Sequence, residues 1–197
     1  MKTASSLAFS SLSVIIKEAI LKMSFAQIEP GKDCPEIVNV VVEIPKGSHN
    51  KYEYDELVDE IRLDRVLYSA VFYPTDYGFI PQTRSEDGDH LDIMVVISEP
   101  LFPGCILPVR PIGLLNMEDE AGIDQKIISV ALKDPRLQEI KGINDLDEHY
   151  KKEIQNFFEM YKKLENKPVK VHRWHGQAEA YKIINEARKR FEEEKQR

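Results

Sequence analysis

The chain has 197 residues, enough to bury a substantial core, with 42% hydrophobic and 31% charged residues, a balance that excludes disordered and fibrous classes. A net charge of −7 argues against a nucleic-acid or anionic-membrane surface. No apolar run approaches the ~18–20 residues that a membrane-spanning helix needs.

Residues 1–22 carry an apolar patch from Leu7 to Ile16, interrupted by serines and followed directly by Lys17 and Glu18. That is a poor signal peptide. Met23-Ser24 reads as an alternative start, so 1–22 is expected to be an N-terminal extension and 23–197 a single domain; a short amphipathic helix through Val14, Ile15, Ala19 and Ile20 is the other reading. Cys34 and Cys105 stand far apart in no metal-ligand spacing, which points to a reduced, cytoplasmic compartment.

Ile37 to Ile44 predicts a strand, apolar except for Asn39 and Glu43 and closed by Pro45-Lys46-Gly47. Lys51-Tyr52-Glu53-Tyr54 alternates with period two, placing Lys51 and Glu53 on one face. Ile61 to Arg65 alternates likewise, and Tyr68 to Tyr73 predicts a further short strand. Asp76 to Pro81 reads as an aromatic loop leading into Glu86-Asp87-Gly88-Asp89-His90-Leu91-Asp92.

In that stretch three aspartates fall within six residues, immediately before the apolar strand Ile93 to Ile97. Two like charges about 4 Å apart near a protein surface repel by about 4 kcal/mol. An acidic cluster at a core edge therefore calls for a cation or for protonation, the alternative being a solvated turn. All-oxygen ligation suits Mg²⁺, Mn²⁺ or Ca²⁺. An EF-hand is excluded, because with Gly88 at loop position 6 the bidentate Glu position falls on Met94.

Pro111 to Met117 and Lys126 to Leu132 predict two strands joined by a second acidic loop, Glu118 to Asp124, with Asp124 and Lys126 on one face. Asp145 and Glu148 suggest a capping box. Tyr150, Ile154, Phe157, Phe158, Tyr161 and Leu164 then recur at helical spacing, and 178–192 form a second amphipathic helix. Short strands followed by helices imply an α+β, mainly β fold: a small closed barrel with two C-terminal flanking helices.

Carboxylates that gather Mg²⁺ beside lysines and arginines suit a phosphate-rich substrate, with Lys, Arg and Tyr holding the oxygens that the metals leave free. The acids are Glu43, Glu53, Asp87, Asp89, Asp92, Asp119 and Asp124; the bases are Lys51, Arg65, Lys126 and Lys162, with phenols at Tyr73, Tyr77 and Tyr161.

Ordered blocks carry a family resemblance across residues 24–192: Val42-Glu43-Ile44-Pro45, Lys51-Tyr52-Glu53, Asp64-Arg65, Phe72-Tyr73-Pro74, Tyr77-Gly78, Asp87-Gly88-Asp89 with Asp92, Asp119 through Lys126, and Phe157 through Lys162. On these the chain closely resembles the soluble family I inorganic pyrophosphatases of the short, bacterial type. The resemblance implies a five-stranded OB-like barrel, hydrolysis of pyrophosphate with several Mg²⁺ ions (Mn²⁺ as a possible substitute), and a homohexamer. It makes Asp87, Asp92 and Asp124 ligands of the metals that activate water, and Asp119, Asp124 and Glu43 ligands of those arriving with substrate. Asp89 would be the general base. Lys51, Arg65, Lys126, Tyr77, Tyr161 and Lys162 would bind phosphate, with Lys51, Arg65 and Tyr77 also catalytic, and Glu53 and Tyr73 would support the pocket.

One departure stands at His90, where the family signature has Pro or, less often, an acid. Losing proline frees the backbone at a cost of roughly 0.4–1 kcal/mol, but every ligand is retained, and His90 is expected to be a hydrogen-bonded structural residue. A single-stranded nucleic-acid module would use the same aromatics, yet the acidic loops repel a phosphate backbone. A phosphatase or nuclease acting on another phosphoester uses the same ligand types. An inactive homologue is disfavoured by the intact acids.

Overall fold

A computed structural model describes residues 24–120 and 122–196; the expected extension, 1–22, lies outside them. In chain order come β1 (Val38–Ile44), β2 (Asn50–Asp55), β3 (Glu60–Val66), β4 (Asp76–Ile80), β5 (Leu91–Val96), β6 (Ile106–Asp119), β7 (Gly122–Ala131), α1 (Glu148–Tyr161), β8 (Lys170–Gly176) and α2 (Gln177–Lys195). Strands β1, β4, β5, β7 and β6 pair in that order, and β1 pairs again with β6, closing the expected five-strand ring. All its pairings are antiparallel except β5 with β7.

The length of β6 explains its versatility. Residues 106–109 pair with β1 and residues 113–118 pair with β8, with an irregularity at Pro111 to Gly113 in its pairing with β7. Proline has no N–H for a ladder, so a break there is what its chemistry dictates. Strands β2 and β3 form a separate hairpin.

Two cores divide the ring's side chains by period two. Leu91, Ile93 and Val95 pack with Ala180, Ile183, Ile184 and Ala187 of α2, whereas Met94 and Val96 pack with Ile154, Phe157 and Phe158 of α1. Burial on both faces is why β5 reads as a continuous apolar run. Among the described residues no helix is long and apolar enough to cross a membrane, and Cys34 and Cys105 are free thiols.

Several expectations need correction. Tyr68 to Tyr73 is a loop, held by Tyr73 N–H donating to Ser48 O (3.1 Å) and Ser69 Oγ donating to Met160 O (2.7 Å). Of its aromatic side chains Tyr73 is buried in the core, while Tyr68 and Phe72 are exposed. Asp76 to Ile80 is β4 rather than a loop, because Gly78, which looks like a breaker, is the only residue that fits against β1. The connection between β6 and β7 is much shorter than Glu118–Asp124, since pairing continues to Asp119↔Gly122. Helix α1 is capped by Asp147, whose carboxylate accepts from His149 N–H at 2.7 Å; Asp145 instead accepts from Lys141 and Gly142. Strand β8 was not expected, because only Val171 and Trp174 of its side chains pack on a core.

A Cβ at position 78 would lie 2.0 Å from Val41 O and 2.9 Å from Val42 Cα, both backbone atoms that cannot step aside. Gly78→Ala is therefore expected to destabilise the fold by at least about 1–3 kcal/mol, read as a lower urea midpoint at constant slope.

Candidate active site

Parallel pairing of β5 with β7 sets Ile93 beside Ile127, so the preceding residues, Asp92 and Lys126, emerge at the same level at the mouths of both strands. Two residues before Lys126 on the same face stands Asp124. The Lys126 ammonium contacts Asp92 and lies 2.6 Å from Asp124 Oδ1. Asp119 ends β6 and binds Lys162 Nζ at 2.7 Å, just beyond α1. Tyr77 comes from β4, Glu43 from β1 and Tyr161 from the last turn of α1.

The hairpin supplies the facing wall. Lys51 contacts Glu53 and lies 3.4 Å from Asp64, while Arg65 Nη1 lies 2.5 Å from Asp64 and its Nε 3.2 Å from Glu165. Asp87 and Asp89 sit on the β4–β5 loop, where Asp89 N–H donates to Asp87 Oδ1 at 3.1 Å. Every candidate site residue, from Glu43, Lys51, Glu53 and Arg65 through Tyr73, Tyr77, Asp87, Asp89 and Asp92 to Asp119, Asp124, Lys126, Tyr161 and Lys162, lines one cavity of about 580 Å³.

Charge in this cavity does not balance, and the protonation equilibria follow. Lys126 is 5% exposed; burial alone would lower its ammonium, but Asp124 and Asp92 outweigh that and hold it well above the usual lysine range. One ammonium cannot neutralise two carboxylates, so burial and Asp92 leave Asp124 above its ordinary value despite Lys126. Burial, with Asp92 adding to it, pushes Glu43 up to about 8, although Tyr54 N–H donates to its Oε1 at 2.7 Å. Burial likewise raises Asp89, helped by Asp87, Asp92 and Glu53. Tyr73, Tyr77 and Tyr161 are all raised by burial, so their hydroxyls stay protonated at neutral pH. Burial opposes the Lys162 ammonium, but Asp119 at 2.7 Å, with Glu120 beside it, holds it above its ordinary value.

As they stand, no three Asp, Glu, His or Cys side chains among the described residues converge closely enough to ligate one ion. The donor set nevertheless fits hard divalent cations: it is all carboxylate, and an ammonium already occupies the space between Asp92 and Asp124 where positive charge is required.

Residues outside the expected set also contribute. Glu165 and Asp64 fix Arg65, Glu120 stands 3.3 Å from Lys162 Nζ, and Glu56 and Lys167 line the wall. Asp64 and Glu120 fell within matching blocks; Glu165, Glu56 and Lys167 carry no sequence signal, being single charges that the fold brings in from distant segments. His90 is a structural residue, as expected. Its Nδ1 donates to Thr83 O at 2.9 Å and its ring stacks on Phe79 at 4.7 Å.

A family profile described as inorganic pyrophosphatase matches residues 40–192. An inorganic pyrophosphatase of Methanosarcina mazei is 50% identical over 156 residues, covering 79% of this chain and 92% of that protein. One from Geobacillus stearothermophilus is 47% identical over 159 residues, covering 81% and 96%. The crystal structure of inorganic pyrophosphatase from Thermus thermophilus superposes with a TM-score of 0.83 at 47% identity, covering 86% of this chain and 99% of that one. The mainly β, OB-like architecture is common to both.

Glu43 yields a test in metal-free solution. With its folded value near 8 against an ordinary 4.5, the folded state keeps a proton that the unfolded state has lost, so stability falls as pH rises between those values. With chelator present, Glu43→Gln is expected to flatten that stretch of the stability–pH curve. Urea unfolding at pH 8 should find the variant more stable than the wild type.

Proposed function

The chain belongs to the inorganic pyrophosphatase family, metal-dependent enzymes that hydrolyse pyrophosphate to phosphate, and on that premise we propose the role of each residue in the cavity. The metal would be Mg²⁺, with Mn²⁺ as a substitute; Asp87, Asp92 and Asp124 would hold the ions that activate water, and Asp119, Asp124 and Glu43 those that arrive with pyrophosphate. When bound, such cations acidify water and neutralise phosphate charge. The observation carrying this reading is the single cavity in which strand-mouth carboxylates face a wall of lysine, arginine and tyrosine.

Asp89 accepts the proton of the attacking water. Its raised basicity supports that task, since a carboxylate above its ordinary value is the better base near neutral pH. Lys51 and Arg65 hold phosphate oxygens from the hairpin side, and Lys126 and Lys162 from the ring side. Their pairing with Glu53, Asp64, Glu165 and Asp119 orients them before substrate arrives. Preorganised donors of this kind stabilise charge that grows on the leaving phosphate without reorganising at the moment of reaction.

Tyr77 and Tyr161 donate neutral hydroxyl hydrogen bonds. A buried phenol kept protonated gives a donor without adding a counter-charge that would trap the product. Tyr73 backs Tyr77 edge-on at 5.5 Å and supports it from the core.

Purified protein is expected to release two orthophosphates per pyrophosphate in Mg²⁺, and none once the metal is chelated. Asp89→Asn should lower kcat by about 10²–10⁴-fold with the fold intact by circular dichroism. Full turnover in that variant would remove Asp89 from its role, and absence of phosphate release from the wild type would overturn the reaction itself.

A further inference from the structure

The hairpin β2–β3 shares no ladder hydrogen bonds with the ring, yet it carries Lys51 and Arg65. Asp87 and Asp89 ride on a different unit, the loop between β4 and β5. Both must hold a fixed separation if metal ions and a small bridging anion are to be bound together. Arg65 ties the base of the hairpin to Glu165, and Leu67 N–H to His49 O closes the base on itself. Further along, Tyr54 N–H donates to Glu43 of β1 at 2.7 Å and the Tyr54 ring stacks on Phe79 of β4 at 5.0 Å, while Leu57 at the turn is 97% exposed.

What reaches the tip is a network that frames the acidic loop. Arg84 precedes the loop and grips Glu56 of the hairpin with two parallel hydrogen bonds, Nη1 to Oε1 at 2.5 Å and Nη2 to Oε2 at 2.8 Å. His90 follows the Asp87-Gly88-Asp89 turn and sets its Nε2 2.7 Å from the same Glu56 Oε1. Arg84 on one flank is hydrogen-bonded to that carboxylate, and His90 on the other packs against it. Its other ring nitrogen closes the loop onto Thr83 O, while Thr83 Oγ1 accepts from Leu91 N–H at 2.9 Å.

Helix α2 anchors the whole. Arg84 Nε binds Glu194 at 2.7 Å, its N–H donates to Ala187 O at 2.8 Å, its carbonyl accepts from Arg190 at 3.0 Å, and its guanidinium lies over the Phe191 ring. Arg84 is only 14% exposed, so this is a clamped guanidinium and not a mobile surface charge.

We propose that the Arg84–Glu56 pair, backed by the packed His90 ring, forms a positioning latch that helps hold the phosphate-binding hairpin at a fixed distance from the acidic loop, so that metal ions and pyrophosphate meet a site already assembled. The inference rests on reading the cavity as a metal–pyrophosphate site.

The test uses the full chain with Glu56→Ala, Arg84→Ala and the double variant. Mg²⁺ binding is followed by calorimetry without substrate, and KM and kcat for magnesium pyrophosphate are measured separately. Each single variant is expected to weaken Mg²⁺ binding about tenfold and to raise KM more than it lowers kcat. The double variant should be no worse than the more severe single, because both break one unit. Glu56 lies at the exposed tip, so Glu56→Ala keeps the test available if Arg84→Ala fails to fold. A lowered urea midpoint with unchanged Mg²⁺ affinity and KM would overturn the latch, as would single effects that simply multiply. Wild-type protein that neither binds Mg²⁺ nor releases phosphate would instead overturn the underlying reading of the cavity.

Discussion

Lys126 is one buried ammonium between two carboxylates, and that imbalance organises the cavity. Parallel pairing of β5 and β7 forces Asp92 and Lys126 to the same level, and the period of β7 then brings Asp124 onto the same face. A core edge that carries this arrangement has excess negative charge and little water to screen it. Protonation of Glu43, pushed up to about 8 by burial, relieves part of the excess, and burial shifts Asp89 and Asp124 in the same direction. The remainder is an excess of negative charge built into the geometry of the sheet, which a bound cation would offset.

The cationic wall obeys a different logic. Lys51, Arg65 and Lys162 each already face a carboxylate that is not proposed to move: Glu53 and Asp64, Asp64 and Glu165, and Asp119 with Glu120. Such pairs add little stability where they are exposed. Their value is orientation: long side chains that would lose rotamer freedom on binding an anion have lost much of it beforehand. The three tyrosines complete this wall at almost no entropic cost, because Tyr73, Tyr77 and Tyr161 are fixed by the same core that packs Phe157.

Legibility from sequence followed burial and proximity along the chain. Strands β1 and β5 were readable because one long apolar run admits few alternatives, and Asp87, Asp89 and Asp92 because they cluster next to one. That Lys126 shares a face with Asp124 was readable from spacing alone; its contact with Asp92 was not, since that depends on parallel pairing across 34 positions. Strand β4 was hidden by Gly78, a residue that signals a turn locally but is dictated here by the approach of Val41. Strand β8 was hidden because it adds to the outer edge of the ring through backbone hydrogen bonds, which leave no pattern in side-chain polarity. The family resemblance supplied what spacing could not, the assembly of distant blocks into one site, and the cavity now brings those blocks together.

His90 shows how a departure from a pattern can be absorbed. Proline restricts a turn through its own ring, a constraint paid in no other residue. An imidazole restricts the same turn only if neighbours hold it, and here Thr83 O accepts from it and Phe79 stacks on it, with Glu56, held by Arg84, alongside. The constraint is a set of contacts distributed over the hairpin, the loop and α2. A distributed constraint couples elements that a proline would leave independent, so the separation of the two halves of the cavity becomes a property of charges lying outside its chemistry.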